Sequence, residues 1–269
     1  MQLIKYKWET NKISGEPFLF ARDGGKIVKM KLFDDKISMK IGKKYCTGYA
    51  KNGRQHECPK RRIVDNEKVC RECALNDDFF LCMKCTGEEC INEPQRSACM
   101  KNNYNIYLAA FGTMLKVGIS YEPRLLERLI EQGADMGAKI GTVQDGKLVR
   151  MMEQKIRAGL GITDRMTGIE KHNMLFGNIN TASINIFNAY TKLKSSGFSL
   201  SGPEIYDLQS IYRLSSVSTM PQMFNVQEGA SLDGNIIAAK GNLIIVKTET
   251  GMFSVNSHRL VGCNIELLN

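Results

Sequence analysis

Residues 104–134 read YNIYLAAFGTMLKVGISYEPRLLERLIEQGA. Residues 106–109 are apolar and strand-like, and Phe111-Gly112-Thr113 has the makings of a tight turn, since glycine accepts the positive φ such turns need. Residues 114–119 return as a second strand. Pro123 stands where a helix can begin without losing a needed N–H. Leu125, Leu126, Leu129 and Ile130 then recur at helical spacing as a buried face, and Gly133 is a natural C-cap. The reading is a β-hairpin feeding an amphipathic helix. It carries an unusual polar set: Tyr107, Lys116, Arg124 and Arg128.

Upstream, residues 46–99 hold eight of the nine cysteines: Cys46, Cys58, Cys70, Cys73, Cys82, Cys85, Cys90 and Cys99. Cys70/Cys73 and Cys82/Cys85 have the C-x-x-C spacing that turns two thiolates toward one ion. Taken nearest in sequence, they make two sets of four, the first ending at Cys73 and the second beginning at Cys82. Each set would be a closed, structural Zn2+ site. His56 is an alternative to Cys58, although Cys58 beside Pro59 is preferred. The spacings match no common iron–sulfur run. The segment is poor in large apolar residues, so it needs a staple of the kind structural zinc supplies, on the order of 10–16 kcal/mol. Lys60, Arg61 and Arg62 lie beside Cys58; they either balance thiolate charge or grip phosphates.

The first 45 residues alternate lysines with apolar residues, as half-buried strands do, with turns at Asp23-Gly24-Gly25 and Asp34-Asp35. Past the hairpin, residues 140–143 read as a third strand. Residues 147–158 read as a helix with Leu148, Val149, Met152 and Ile156 on its apolar face and Arg150, Glu153 and Arg157 on the other. A second helix, near 181–197, would turn Ile184, Phe187, Tyr190 and Leu193 inward. Asp164, Arg165 and Lys171 make a charged loop between them. A further helix is expected over 203–213. The C-terminal stretch reads as short strands with turns at Asp233-Gly234, Lys240-Gly241 and Thr250-Gly251, the pattern of a small β-barrel-like module. The fold class is therefore α+β in three parts: a β and zinc-binding region at 1–101, a hairpin-and-helix domain at 102–200, and a small β module at 201–269.

An apolar share of 43% is ample for packed cores. The formal net charge of +9 favours a polyanionic partner such as nucleic acid. With no apolar run of bilayer length and no secretory pattern, the expectation is a cytoplasmic protein without a membrane partner.

Residues 105–153 resemble the GIY-YIG nuclease superfamily. Asn105-Ile106-Tyr107 stands for its first triplet and Lys116-Val117-Gly118 for its second. Arg128, or else Arg124, stands for its helical arginine, and Glu153 for its metal-binding glutamate. The resemblance implies a three-stranded antiparallel sheet with flanking helices and a catalytic set of Tyr107, Lys116, Arg128 and Glu153. In that scheme Tyr107 activates water, Glu153 holds Mg2+ or Mn2+, and Arg128 binds the scissile phosphate. Lys116 replaces the second tyrosine of the pattern, and its asparagine has only Asn173 as a candidate. The chain over residues 46–175 more closely resembles an uncharacterised prokaryotic family with a cysteine-rich zinc region before a YLA…KVGI…R…QGA segment. The function expected is a zinc-containing protein that binds DNA or RNA, with phosphodiester cleavage as its enzymatic form. Lys60, Arg61, Arg62, Arg124, Arg165 and Lys171 are the expected nucleic-acid contacts. The alternatives are a non-catalytic RNA- or protein-binding adaptor and a nucleic-acid-modifying transferase using the same cleft.

Overall fold

The computed structural model describes residues 1–11, 14–163 and 165–268; Asp164 of the expected charged loop lies outside them. The chain forms two units, Met1–Phe80 with Tyr212–Asn269, and Leu81–Ile211. The first unit opens with a meander, β1 (Gln2–Thr10), β2 (Gly15–Asp23) and β3 (Lys26–Lys31), followed by β4 (Lys36–Lys44). A short ribbon, β5 (Tyr49–Lys51) and β6 (Arg54–His56), and helix α1 (Arg71–Asn76) complete its N-terminal part.

The second unit begins in the cysteine-rich segment with α2 (Glu93–Lys101). The hairpin follows as β7 (Asn103–Phe111) and β8 (Met114–Tyr121), then α3 (Leu125–Gln132) and β9 (Met136–Gln144). Helices α4 (Gly146–Leu160), α5 (Gly168–Asn173) and α6 (Ile179–Ser195) and strand β10 (Glu204–Asp207) complete it. Its antiparallel sheet has the order β10-β9-β7-β8. The three strands read from sequence are thus joined by a fourth, β10, formed where a helix over 203–213 was expected. Pairing of Glu204–Asp207 with Lys139–Met136 overrides local helical preference there. Ile106, Leu108, Val117, Ala138 and Ile140 of the sheet pack with Val149 and Ile156 of α4 and Ala182, Ile186, Ala189 and Leu193 of α6.

Two helix faces differ from the reading. On α6 the buried row is Ala182, Ile186, Ala189 and Leu193, whereas Ile184 and Phe187 are 59% and 67% exposed. The row 184–187–190–193 advances by three residues each time, and nine residues at ~100° each bring Leu193 to the side opposite Ile184. The spacing 4-3-4 of the buried row stays on one face. On α4, Leu148 is exposed, and Glu153 lies in the buried row with Val149 and Ile156.

The chain then returns to the first unit as β11 (Gln222–Met223), β12 (Ser231–Lys240), β13 (Leu243–Thr248), β14 (Gly251–Asn256), α7 (Ser257–Leu260) and β15 (Cys263–Leu267). These strands do not form a separate barrel-like module. They enter an open nine-stranded sheet with the N-terminal strands, in the order β11-β14-β13-β12-β4-β15-β1-β2-β3. Strand β4 sits between the C-terminal strands β12 and β15, and β15 in turn pairs with β1, so the sheet is complete only when both ends of the chain are in place. Asp233-Gly234, expected as a turn, lies inside β12 and pairs with Ser38 and Ile37 of β4. The core joins Leu3, Leu19, Met39 and Ile41 to Leu232, Ile244, Val246 and Ile265. Trp8, fully buried, donates through Nε1 to the Gly241 carbonyl at 2.7 Å.

In the second unit, Arg96 of α2 makes a two-pronged ion pair with Asp145 at 2.5 and 2.7 Å. Asp145 in turn caps α4 by accepting from the Lys147 N–H at 2.8 Å. Arg96 holds the Asp145 carboxyl below its ordinary range, with the Lys147 N–H assisting against burial. Both side chains are largely covered, so the pair is shielded from salt. Asp145→Asn is expected to lower the melting stability of the unit by about 1.5–3 kcal/mol, measured by thermal circular dichroism. Because the folded carboxyl titrates below its unfolded value of about 3.9, the wild-type advantage is fully present above that pH. It fades as pH falls through the depressed folded value, so the two melting curves should converge in strong acid.

Candidate functional site

Cys46 lies two residues after β4, Cys58 two residues after β6, Cys70 at the N-cap position of α1 and Cys73 in its first turn. The backbone folds these four sulfurs together. Cys46 N–H donates to the Arg62 carbonyl, and Thr47 N–H to that of Lys68. Gly48 turns at φ +91°, where a Cβ would run into the His56 carbonyl, so only glycine fits. The sulfurs lie within 4.8 Å of one another, all on buried residues, and Cys58 and Cys70 are 4.0 Å apart. A tetrahedron of ~2.3 Å zinc–sulfur bonds has edges of about 3.8 Å, so the donor set fits zinc. His56 is not part of it; it stacks on Tyr49 at 5.1 Å in the ribbon.

N–H groups already point at these sulfurs, as they do around bound thiolates. Gly48 and Cys70 N–H donate to the Cys46 Sγ at 3.4 and 3.2 Å. At Cys58, burial pushes the thiol upward, but the Arg62 and Lys60 N–H groups and the neighbouring Cys73 and Cys46 thiols bring it to about 7. Burial and the other three sulfurs push Cys73 far up. The set therefore does not ionise readily by itself, and a dication is what makes four thiolates compatible. Lys60 and Arg62, expected at phosphates, pair with Glu72 at 2.8 and 3.5 Å on the surface. Arg61 lies 5.5 Å over the Tyr45 ring. A cavity of about 800 Å3 borders Cys46 and Cys58, but its rim mixes Arg22, Lys40 and Arg61 with Glu57, Glu228 and Glu266, so it favours neither charge.

Cys82, Cys85, Cys90 and Cys99 are half-buried in the second unit. Burial raises the Cys82 thiol, and the charges of Cys99, Cys85 and Cys90 push the same way. The Cys82 Sγ accepts from Asn92 Nδ2 at 3.1 Å. These four are neighbours, but among the described residues only the first quartet has all its sulfurs within 4.8 Å.

The second unit also carries a polar cluster. Tyr107 lies between Ile106 and Leu108 of the core and turns its ring over Gly118 of β8, where any Cβ would strike the ring. That contact is the physical reason for the glycine in Lys116-Val117-Gly118. The Tyr107 hydroxyl accepts from Gln132 Nε2 at 2.5 Å. Burial raises its pKa; the Arg128 charge and the Gln132 hydrogen bond oppose this, while the Glu153 charge adds to it. Arg128 and Gln132 are one turn apart on α3 and so share a face. Glu153, 3% exposed, pairs with Arg150 at 2.5 Å. Lys116 is 8% exposed. Lys171 of α5 is brought down to about 7 by burial and by the charges of Lys116 and Arg128.

Thus Arg128 and Glu153 are both close enough to shift Tyr107, and Lys116 and Lys171 join at Arg128. Tyr107 is 1% exposed, while the Arg128 side chain is 51% exposed, so the cluster is nearly closed and Arg128 is its open side. Arg124 is tied to Glu127 at 2.9 Å and Glu131 at 3.5 Å. Arg165 sits exposed in a loop, and Asn173 is exposed at the end of α5. Gln132 was missed as a member. Its buried Oε1 has no hydrogen-bond partner among the described residues, and its signal was the four-residue spacing from Arg128.

Fold and site together define a mixed α and β protein with a buried four-thiolate centre able to hold zinc. Residues 34–264 match the family model described as Protein of unknown function (DUF2797), and the chain belongs to that family. No curated protein and no solved structure matches the chain. The GIY-YIG resemblance gains no support from these comparisons. Among the described residues, no helix is long and apolar enough to cross a membrane.

Cys58→Ser or Cys73→Ser is expected to remove one metal equivalent per chain, read by elemental analysis. Trp8 fluorescence should report loosening of the first unit on chelation. Gly118→Ala should leave the metal in place and destabilise the second unit by about 1–3 kcal/mol, the usual scale for overpacking, read by chemical denaturation.

Proposed function

We propose that this protein binds nucleic acid through its phosphates, and that the cluster around Tyr107 holds one phosphodiester. The observation that supports this most is the crowding of three cations, the enclosed Lys116 and Lys171 beside the half-exposed Arg128. Like charges that close oppose one another, and an anionic oxygen among them relieves the repulsion. The net charge of +9 is the long-range counterpart. Two structural zinc ions belong to this reading: one in the first unit at Cys46, Cys58, Cys70 and Cys73, and a second in the second unit at Cys82, Cys85, Cys90 and Cys99. The second rests on the neighbouring thiols and the Asn92 hydrogen bond to Cys82.

In the nuclease form of this reading, Glu153 would hold Mg2+ or Mn2+, Arg128 would hold the scissile phosphate, and Tyr107 would activate the attacking water. Glu153 must then release Arg150. The burial of Tyr107 and Glu153, and Lys116 where the resemblance has a second tyrosine, favour the other form, in which the site grips phosphate without cutting. Labelled DNA and RNA incubated with Mg2+ or Mn2+ distinguish the two. Cleavage that vanishes in Glu153→Gln and Tyr107→Phe marks an enzyme; salt-dependent binding without product marks a binding protein. In both forms Arg128→Ala is expected to weaken binding about tenfold. No binding by the wild type sinks the reading. Elemental analysis should find about two zinc ions per chain, falling to about one in Cys82→Ser.

The pH dependence follows from Lys171, which faces Lys116 and Arg128. Its ammonium loses its proton as pH rises through about 7, so affinity should fall between about pH 6 and 8. Stability moves the other way. The folded value lies below the unfolded one of about 10.4, so the unfolded chain binds more protons between the two values and the fold gains stability as pH rises across that window. Lys171→Met should flatten both dependences.

A further inference from the structure

We propose that the outer face of β1, β2 and β3 is a stacking platform for single-stranded nucleic acid. The inference rests on the nucleic-acid reading but not on the Tyr107 cluster, and its residues precede the segment 34–264 that the family model matches.

On β2, Pro17, Leu19 and Ala21 are buried, and the alternate residues Phe18, Phe20 and Arg22 are only half-buried. Leu19 and Ala21 belong to the core, so the two phenylalanines stand on the opposite face. The register flanks each ring with lysines. Phe18 pairs with Lys7 of β1 and Lys31 of β3, and Phe20 with Lys5 and Lys29. Lys5, Lys29 and Lys31 are exposed. Lys29 Nζ sits 3.9 Å from the centroid of the Phe18 ring. Glu9 and Glu16, the acids on this face, pair with Lys29 at 2.7 Å and Lys31 at 3.5 Å. Arg22 follows Phe20 in the row, opposite the exposed Ile27, but it is tied to Glu57 at 2.9 Å and is left out of the platform.

Lysines on an edge strand are commonly a guard against unwanted strand pairing, and β3 is an edge. That does not account for Lys5 and Lys7, which lie on the interior strand β1, nor for two aromatic rings left on the outer face of β2. Rings spaced two residues apart on a strand, ~6.8 Å, between two rows of cations suit an extended strand of bases. Each ring meets a base face while the lysines follow the phosphates. A duplex hides its base faces and has nothing to offer the rings.

The test is fluorescence anisotropy with a labelled oligouridylate, its duplex with oligoadenylate, and an abasic oligomer of equal length. The wild type should bind oligouridylate more tightly than either of the others. Phe18→Leu/Phe20→Leu keeps apolar bulk and should weaken oligouridylate binding about tenfold or more while leaving abasic binding unchanged. Circular dichroism and Trp8 fluorescence check that the variant is folded. Lys5→Ala/Lys7→Ala should make the salt dependence shallower by about 1.4 in log–log slope. Equal wild-type affinity for the uridylate and the abasic strand overturns the platform without reference to any variant. So does a double phenylalanine variant within about twofold of wild type, or a preference for duplex. Loss in Arg128→Ala but not in the phenylalanine variant overturns the platform and leaves the Tyr107 site standing; the reverse supports the platform and counts against that site.

Discussion

Four sulfurs within 4.8 Å of one another are the constraint on which the first unit depends. Unit charges 4 Å apart repel by about 1 kcal/mol even in water, and by several times more where solvent is excluded. All four can ionise together only around a cation. The stretch they bind has little else to hold it. Cys46, Cys58, Cys70 and Cys73 are themselves its core, with Tyr49, Val64 and Val69 packed against them. Its helix α1 has six residues and no side-chain cap, too short to persist unaided. The centre is also well anchored. Cys46 lies two residues beyond β4, the strand held between the C-terminal strands β12 and β15. Disorder at the metal therefore reaches the middle of the nine-stranded sheet, whereas the second unit keeps its own core.

What could be read from sequence was what is local. The hairpin at 103–121, the helix after it with Gly133 as its cap, and the two C-x-x-C pairs depend on neighbours a few residues away. The first quartet was legible because thiolates have few other uses at that density. The shared sheet was not. β4 pairs with strands some two hundred residues later, and alternation within 231–267 is equally consistent with a barrel of its own. Nothing local announces a partner at that distance. The fourth strand, β10, failed for the same reason: residues 204–207 become a strand only because β9 offers an edge. The α6 face is different, since the correct 4-3-4 row was present but two of its members are alanines, which carry less hydrophobic signal than the exposed Ile184 and Phe187.

The polar cluster was legible as residue types and misjudged as an environment. Glu153 read as a solvent-facing acid because arginines flank it, yet it occupies the buried row with Val149 and Ile156. A carboxylate in that position needs a partner, and Arg150 supplies one. Lys116 and Lys171 are likewise more enclosed than a phosphate-gripping surface lysine would be. Burial is what turns an ordinary group of charges into a sensitive one, because each feels its neighbours through less water.

That enclosure bears on the part Tyr107 can take in the proposed site. The GIY-YIG pattern that residues 105–153 resemble uses its tyrosine to accept a proton from water, which requires a phenol that ionises easily. Here Gln132 and Arg128 both favour the phenolate, but burial and the Glu153 charge oppose them, and the net shift is upward. A phosphate placed among Lys116, Arg128 and Lys171 adds negative charge and drives the shift further up. Tyr107 therefore remains protonated at neutral pH with or without phosphate. With its oxygen already accepting from Gln132, the remaining capacity of the hydroxyl is to donate. In this geometry it is suited to hold an anionic oxygen, as the three cations are, and a base for the attacking water must be sought in another group. Lys171, at about 7 in the cluster alone, is raised by the same phosphate, so it stays an ammonium that holds the anion and is not that base.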